Sequence, residues 1–331
     1  MATIDTQYIY SLGRVKELEK SLLTTSNIDR MLESDDPFAV LRSIGFFKSS
    51  EEHEDGTEVA EIFRYERVHN RAVLHELIAD SPLEDIFLLP YDIHNLKLLL
   101  KGKLTGNSAG KEWALEEGKY PKQTLIEAVY DDVSSELPGA IVDDIRNLTE
   151  ALQNSTQFSS VDYCFDRRLR ALQLEIAHNA KNMFVIDYLR RLSDVQNIST
   201  IIRRKTHELG RDNLKDTLLE GGTLDLGFLE KVYDSGWESM ATAFKPTDHS
   251  KWVADALAQI ERSNFPAILD TCGAQYLIEF LHTARQHTFG IGQILAFHII
   301  RDLELKVVRT LWIGKAFGYP QEKLTLRNRL N

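Results

Sequence analysis

The sequence predicts an all-α protein, and three observations support this fold class. Proline and glycine, which interrupt helices, occur only 8 and 18 times in 331 residues, below their usual shares. Apolar residues recur at steps of three and four in several windows, which places them on one face of a helix. Segments that alternate polar and apolar residues, which would indicate strands, are scarce. Helices therefore form the regular structure that this chain encodes.

Helix starts are marked by proline and by capping side chains. Proline lacks the N–H group that the first turn of a helix leaves unpaired, so it is tolerated there. Asp36-Pro37, Pro121 and Pro266 are predicted helix entries on this basis. The segment 81–84, Ser-Pro-Leu-Glu, also has the pattern of a capping box. The acidic stretch 51–58 is predicted to be a solvated loop.

Three long helices are predicted from apolar spacing. In each, the apolar residues follow one another at steps of three or four along the chain. The three sets are Val161, Phe165, Leu169, Leu172 and Ile176; Val185, Tyr188, Leu192 and Val195; and Ile300, Leu303, Val307 and Leu311. Trp237, Trp252 and Trp312 are expected to anchor the core or an interface.

Charge and composition exclude several classes of protein. The chain has 39 basic and 50 acidic residues, a net charge of −11, with no dense basic block, so a nucleic-acid partner is not expected. The two cysteines, Cys164 and Cys272, suit a reducing cytosol and provide no disulfide framework. The charged N-terminal segment does not resemble a signal peptide. The longest nearly apolar run, 289–300, is too short to span a bilayer, so membrane contact is expected only through a protein partner.

A motif occurs three times along the chain. Residues 92–103 and 194–205 share an acid, an asparagine, an apolar pair and two basic residues at matching positions. A third, weaker copy at 304–315 has Val307 in the place of the asparagine. Such repetition is typical of proteins built from related structural units.

A second motif precedes each copy of the first. It has the pattern apolar, acid, any residue, apolar, apolar, acid, and it occurs at 28–33, 126–131 and 229–234. The constant order of the two motifs predicts three helical units, 1–106, 107–212 and 213–331. The alternative is that helical periodicity alone produces these matches.

Basic residues are concentrated at the end of each copy of the first motif. Cations there interact favourably with the negative end of the helix dipole, and Gly106, Gly210 and Gly318 follow as predicted left-handed caps. Helix termination is therefore the simplest interpretation. A further hypothesis is that these residues lie at one rim and face acidic or carbonyl groups of a partner. The six residues are Lys101, Lys103, Arg203, Arg204, Lys205 and Lys315.

The search for catalytic motifs leaves one enzymatic alternative. Phosphate loops, dinucleotide fingerprints, nucleophile elbows and zinc motifs are absent from the sequence. Two E-x-x-H pairs, Glu175 with His178 and Glu279 with His282, could form half of a di-iron carboxylate site. Such a site would need two more glutamates, for which Glu127, Glu208 and Glu230 are candidates. Solvated helix faces explain these pairs more simply.

The two ends of the chain resemble a known family. The segment 304–309 followed by 314–330, and the opening segment 8–23, are similar to the closing and opening segments of the C subunits of V/A-type rotary ATPases. This family is the bacterial and archaeal counterpart of the d subunit of the eukaryotic V-ATPase. The repeated Asp-x-x-Asn at Asp92 and Asp194 also matches the family's repeated motif. Val307 and the acidic stretch 51–58 depart from the repeat.

The resemblance implies a fold and a function. Members of the family are all-α and consist of three related helical units arranged as a funnel. They bind no nucleotide or cofactor and catalyse no reaction. They lie at the cytoplasmic face of the membrane, on the proteolipid rotor ring, where they receive the central axle of the soluble head and transmit torque for proton or sodium transport. The alternatives are the di-iron enzyme and a free-standing α-repeat scaffold that binds peptides.

Overall fold

The computed structural model describes residues 8–47, 59–78, 81–133, 136–155, 158–263, 268–287 and 290–318. Within these ranges every regular element is a helix, which confirms the all-α prediction. The α-helices are α1 Ile9–Leu18, α2 Thr25–Glu33, α3 Pro37–Ser43, α4 Val59–Ile78, α5 Asp85–Thr105, α6 Gly110–Trp113, α7 Lys122–Tyr130, α8 Gly139–Leu152, α9 Ser159–Asn179, α10 Met183–Thr206, α11 Leu214–Thr217, α12 Leu226–Asp234, α13 Trp237–Phe244, α14 Ser250–Ser263, α15 Ile268–His287 and α16 Ile291–Ala316.

Several predicted helix starts are confirmed. The Asp36 carboxylate caps α3 by accepting hydrogen bonds from the N–H groups of Phe38 and Ala39, at 2.9 and 3.2 Å, and Pro37 is the first helical residue. Pro121 immediately precedes α7. Ser81 caps a short 3₁₀ helix, Pro82–Glu84, which leads directly into α5. The predictions for Pro266 and for the stretch 51–58 lie outside the described residues.

Two of the three predicted glycine caps are confirmed. Gly106 and Gly318 have φ of +70° and +68° at the ends of α5 and α16. The prediction for Gly210 is wrong, because Glu208 takes the left-handed conformation after α10, with φ +52°. The N–H of Leu209 then reaches back to the carbonyl of Arg204, at 2.9 Å, as in a Schellman motif. The left-handed cap residue therefore lies two residues before the glycine.

The chain forms two compact units. Unit 2 is the continuous segment Ser81–Asp234. In its core, α5 packs against α7, α8 and α9, and α9 packs against α10. Val161 and Phe165, both predicted on one face of α9, are completely buried there.

Unit 1 combines the two ends of the chain, Met1–Asp80 and Ser235–Asn331. Its long helix α16 packs against α1, α4 and α15. An aromatic cluster between α3 and α4 holds Phe38, Phe47 and Phe63, whose ring centroids are 5.5 to 6.4 Å apart. Trp312 of α16 contacts Phe38 edge to face at 6.1 Å, as its predicted anchoring role requires.

The predicted division into three units remains a prediction. Both predicted boundaries, at 106 and 212, fall inside unit 2. In the part of the chain that the structure describes, no helix is long and apolar enough to cross a membrane.

A proline inside α5 explains one buried contact. Pro90 has no N–H to donate to the carbonyl of Ile86, four residues earlier. The side chain of Gln173 on α9 donates to this carbonyl instead, with a distance of 2.8 Å between Nε2 and O. Gln173 is buried, so the bond satisfies a carbonyl that would otherwise lose its partner and fixes α9 against the start of α5.

Candidate functional site

The first copy of the repeated motif binds a backbone segment with two buried side chains. On α5, the Asp92 carboxylate accepts hydrogen bonds from the N–H groups of Lys119 and Tyr120, at 2.9 and 3.2 Å. The Asn95 amide both donates to the carbonyl and accepts from the N–H of Leu115, each at 2.8 Å. Asp92 and Asn95 are at most 1% exposed. They hold the segment 115–120, which leads into α7.

The second copy repeats these contacts on α10. The Asp194 carboxylate accepts from the N–H groups of Thr223 and Leu224, at 2.9 and 3.1 Å, and from the hydroxyl of Thr223. The Asn197 amide donates to the carbonyl of Leu219 at 2.8 Å and accepts from its N–H at 2.7 Å. The bound segment 219–224 leads into α12. The first two copies, which are similar in sequence, therefore make the same set of hydrogen bonds to the backbone.

The basic end of each motif caps the helix that follows. Lys103 donates to the carbonyl of Val129 at 2.5 Å, and Lys205 donates to the carbonyl of Tyr233 at 2.7 Å. These carbonyls lie in the last turns of α7 and α12, where helix carbonyls lack intrahelical partners. Since α7 and α12 carry the second motif, the first two copies of the first motif are each bonded to the copy of the second motif that comes after them.

Two glycines that the sequence reasoning missed make room for the aspartates. A Cβ atom at Gly118 would lie 2.0 Å from Asp92 Oδ1, and one at Gly222 would lie 2.2 Å from Asp194 Oδ1. Any side chain at these positions would displace the carboxylate. A signal was present, because Leu-Glu-x-Gly occurs at 115–118 and again at 219–222.

The third copy makes the corresponding contact with the start of the chain. On α16, Glu304 Oε1 accepts a hydrogen bond from the N–H of Leu23 at 2.6 Å, and Lys315 donates to the carbonyl of Ser34, the residue after α2. Leu23 lies two residues before α2, as Tyr120 lies two before α7 and Leu224 two before α12. The third motif thus binds backbone groups on both sides of α2, the helix that carries the first occurrence of the second motif.

The backbone around Leu18 gives a physical reason for valine at position 307. The segment 18–21, Leu-Glu-Lys-Ser, corresponds to 115–118 and 219–222. Leu18 is the last residue of α1, so its N–H already has an acceptor within the helix. An asparagine at 307 would have no equivalent backbone pair to bind. Ser21 stands in the glycine position, and the longer Glu304 stands in the aspartate position.

The remaining basic candidates also contact this chain. Lys101 pairs with Asp162 at 2.6 Å, and Arg204 donates to the carbonyls of Gly210 and Asp212 at 2.7 and 2.9 Å. Arg203 is half-buried near the end of α10. Helix termination and packing account for these contacts, and a partner-facing role of the six basic residues remains a prediction.

The two E-x-x-H pairs lie on exposed helix faces. Glu175 and His178 are on α9 in unit 2, and Glu279 and His282 are on α15 in unit 1. His178 Nδ1 is within 2.6 Å of the carbonyl of Leu174, four residues earlier. Among the described residues, no group of three or more His, Cys, Asp or Glu side chains could hold a metal ion. The geometry therefore gives the di-iron hypothesis no support.

A pocket in unit 2 has balanced charge. It encloses about 380 Å³ beside α9 and is lined in part by Arg167, Arg168 and Cys164. Arg168 forms a bidentate pair with Asp144, at 2.6 and 3.0 Å. Burial raises the pKa of the Cys164 thiol to about 11, so this thiol is protonated and weakly nucleophilic at neutral pH.

Burial has the same effect on the other cysteine, since the pKa of Cys272 is also raised to about 11. Both thiols are therefore protonated and weakly reactive at neutral pH. The buried contacts described above have backbone groups of this chain as their partners and define a helical protein whose repeated motif holds its own segments together.

Comparisons with known proteins identify the family. A sequence model of the ATP synthase (C/AC39) subunit family matches residues 12–326. The C subunit of the V-type sodium ATPase of Enterococcus hirae is 25% identical, over 96% of this chain and 96% of its own. The C subunits of the A-type ATP synthases of Methanocaldococcus jannaschii and Thermococcus onnurineus are 21% and 23% identical, over 96% and 92% of this chain and 85% and 86% of theirs.

The chain belongs to the ATP synthase (C/AC39) subunit family. This confirms the resemblance inferred from the two ends of the sequence. It is accordingly a structural, non-catalytic subunit of a rotary ATPase, and its partners are proteins of that membrane-associated complex.

Proposed function

We propose that this protein is the central-stalk subunit that links the rotating axle of the ATP-hydrolysing head to the proteolipid ring in the membrane. The observation that carries the proposal is the similarity to the C subunits of V-type and A-type enzymes over nearly the whole chain. The protein would transmit torque and would contact the membrane only through its partners, at the cytoplasmic face. The transported ion, proton or sodium, would be selected by the ring.

The internal contacts suit a torque-bearing adapter. Each of the three motif helices α5, α10 and α16 is hydrogen-bonded by buried carboxylates or amides to a later or earlier segment of the chain. Such bonds resist sliding of one helix past the next, and close-packed helices have low compressibility. A turn applied to one face would therefore be transmitted with little internal deformation.

We also propose that the chain consists of three related units arranged as a funnel. The support is that the three copies of the first motif bind equivalent positions before α7, α12 and α2. Related units of this kind would present three similar surfaces to an axle or a ring. A contact that carries torque calls for a large interface, well above the size of transient contacts.

The basic residues divide into two groups under this proposal. Lys103, Arg204, Lys205 and Lys315 already donate to carbonyls of this chain. Lys101 and Arg203 remain the candidates for contact with acidic or carbonyl groups of a partner, since Lys101 pairs with a partly exposed side chain, Asp162, and Arg203 is half-buried near the end of α10.

The first experiment is a pull-down of the tagged protein from detergent-solubilised membranes, with the retained proteins identified by mass spectrometry. Recovery of a small proteolipid together with axle and head subunits is expected. An empty pull-down, from a lysate in which the rest of the complex is intact, would refute the linking role. Recovery of head subunits without the proteolipid would contradict the contact with the ring.

A second experiment tests the basic candidates. The double variant Lys101→Gln with Arg203→Gln is expected to retain less proteolipid or axle protein in the same pull-down. Lys251→Gln, an exposed lysine on α14 that is outside the predicted set, is the matched control and should retain the wild-type amount. Equal retention by both variants would remove these residues from the interface.

A further inference from the structure

The end of each motif helix lies beside an exposed apolar side chain. Each of these ends is fixed against the end of a short helix by a lysine contact described above, from Lys103, Lys205 or Lys315. We call the three places corners 1, 2 and 3. Because the three lysines donate to carbonyls of this chain, the charge that each corner presents to a partner comes from other residues.

Corner 1, at the ends of α5 and α7, combines an exposed valine with two acids. Val133 is 54% exposed, and its N–H donates to the carbonyl of Glu127 at 3.3 Å, which fixes its position. The two preceding residues, Asp131 and Asp132, are also exposed. Among the residues that the structure describes, neither carboxylate has an ion-pair partner.

Corner 2, at the ends of α10 and α12, has the same combination. Leu209 is 50% exposed, and its carbonyl accepts a hydrogen bond from the hydroxyl of Tyr233 on α12. Glu208 and Asp212 are exposed on either side of it. Neither of their carboxylates pairs with a cation within the described part of the chain.

Corner 3, at the ends of α2 and α16, is formed by two distant segments. Phe317, just after α16, is 77% exposed. Glu33 and Asp35 flank Ser34, whose carbonyl accepts from Lys315 near the end of α16. Both acids are exposed, and no described cation pairs with either of them.

Two arginines that are close in sequence to these corners are already paired. Arg211 pairs with Glu230 at 3.2 Å and with Asp234 at 3.0 Å, and Arg42 pairs with Asp36 at 3.3 Å. The two unpaired acids of each corner therefore make its surface negative as well as partly apolar. Isolated exposed apolar residues are common on protein surfaces, whereas here one accompanies two unpaired acids at each of three related places.

We infer that each corner is a docking point for a basic segment of another subunit of the complex, in which an apolar side chain is flanked by lysine or arginine. The apolar side chain contacts Val133, Leu209 or Phe317, and the flanking cations pair with the two acids of that corner. Such charge complementarity favours a basic segment and repels an acidic one. The inference deepens the proposed function and rests on the protein's place in the complex.

Photo-cross-linking in the assembled complex tests the inference. p-Benzoylphenylalanine replaces Leu209 or Phe317, the purified complex is irradiated, and the cross-linked peptides are identified by mass spectrometry. Each probe is expected to react with a segment of another subunit that has lysine or arginine beside the cross-linked residue. Met183, 65% exposed at the opposite end of α10 from Leu209, is the matched control position and should not react with the same segment.

Three results would overturn the inference: cross-links to a second copy of this chain, cross-links to segments without basic residues, and no cross-link to another subunit. If the complex contains the proteolipid and axle subunits and the probes still find no basic segment, the docking inference fails while the proposed function stands. If the probes find a basic segment in a complex that lacks those two subunits, the linking role fails while the docking inference stands.

Neutral variants test the contribution of charge. Glu208→Gln with Asp212→Asn removes both unpaired acids of corner 2 and should lower the yield of the Leu209 cross-link about tenfold. Glu150→Gln with Asp187→Asn, at exposed positions on α8 and α10, removes the same charge elsewhere in unit 2 and should leave the yield unchanged. Equal yields from the two double variants would overturn the assignment of a basic partner.

Discussion

The two motif copies in unit 2 and the single copy in unit 1 each hold a backbone segment that precedes a short helix, but they use different residues. In unit 2, an aspartate and an asparagine hold a loop that precedes a short helix, and a glycine leaves space for the carboxylate. In unit 1, Glu304 alone holds the corresponding residue, Leu23, beside Arg301. The first arrangement joins acids to backbone donors, whereas the second also places the acid beside a cation.

The difference shows that the residue at the asparagine position of the motif depends on the conformation of the backbone segment that the motif binds. Leu115 and Leu219 lie in irregular segments whose N–H and carbonyl groups need side-chain partners. The N–H of Leu18 is bonded within α1 and its carbonyl accepts from the Ser21 hydroxyl, so neither group needs an asparagine. Asparagine is therefore present where the bound segment is a loop and is replaced by valine where it is a helix. The four predictions below test this comparison.

The largest effect is expected from removal of a unit 2 carboxylate. Asp194→Ala leaves the N–H groups of Thr223 and Leu224 without their acceptor and should lower the free energy of unfolding by about 4 kcal/mol. Urea unfolding followed by circular dichroism measures the loss. Asp187→Ala, at an exposed position on the same helix, should change it by less than about 0.5 kcal/mol. Similar losses in both variants would contradict a specific role of Asp194.

The residues at the asparagine position of the second copy and the valine position of the third copy can be exchanged to test this dependence. Asn197→Val should destabilise unit 2 by about 3 kcal/mol, because both polar groups of Leu219 lose their partner. Val307→Asn should not stabilise unit 1 and should cost about 1 kcal/mol, since Val307 packs against the core of that unit. Hydrogen exchange assigns each loss to its unit. A stabilising Val307→Asn would show that the third copy lacks a contact it could make.

Even a methyl group at the glycine beside the motif aspartate is expected to be destabilising. Gly222→Ala places a Cβ about 2.2 Å from Asp194 Oδ1, so the carboxylate must move and its bonds weaken, at a cost of about 2 kcal/mol. The matched change in unit 1, Ser21→Ala, removes only the bond from the hydroxyl to the Leu18 carbonyl and should cost about 0.5 kcal/mol. Thermal unfolding of the two variants gives the comparison. Equal shifts in melting temperature would argue against the steric reason for glycine.

The smallest effect is a pH dependence that only unit 1 should show. The pKa of Glu304 is raised from 4.5 to about 7 in the folded protein, so its contribution to stability is fully present below pH 4.5 and is lost as the pH rises through 7. Between pH 6 and pH 8, unit 1 should lose about 1 kcal/mol relative to Glu304→Gln. Urea titrations of both proteins at the two pH values measure this difference. A curve for Glu304→Gln that is parallel to the wild-type curve would exclude Glu304 as the cause.

The sequence predicted the helices and the motif copies, because both depend on local spacing. Val161 and Phe165 are buried as their periodicity required, and the third copy was recognised although Val307 departs from it. What the motif binds could not be predicted, because Asp92 contacts residues 27 and 28 positions further along the chain. Periodicity indicates that a side chain is buried but does not indicate which backbone group it meets.

The prediction of a left-handed cap at Gly210 is wrong for a related reason. Glycine is the residue that most easily adopts a left-handed conformation. After α10, which ends at Thr206, Glu208 adopts it instead, and the N–H groups of Glu208 and Leu209 bond back to the last turn of the helix. The contact of Gln173 with the Ile86 carbonyl could not be predicted either, because the two residues are 87 positions apart in the sequence. This contact compensates for the donor that Pro90 lacks. Local sequence shows that Pro90 removes a donor, but the replacement donor is known only from the packed helices.

The bond between Leu23 and Glu304 joins residues 281 positions apart, and this separation imposes an order on synthesis. A ribosome that adds on the order of ten residues per second makes Leu23 roughly half a minute before Glu304. Unit 2 is one continuous segment and is fully emerged by then, whereas unit 1 cannot complete its core until α16 arrives. We expect nascent chains to contain a folded unit 2 while the N-terminal helices of unit 1 are not yet packed against α16.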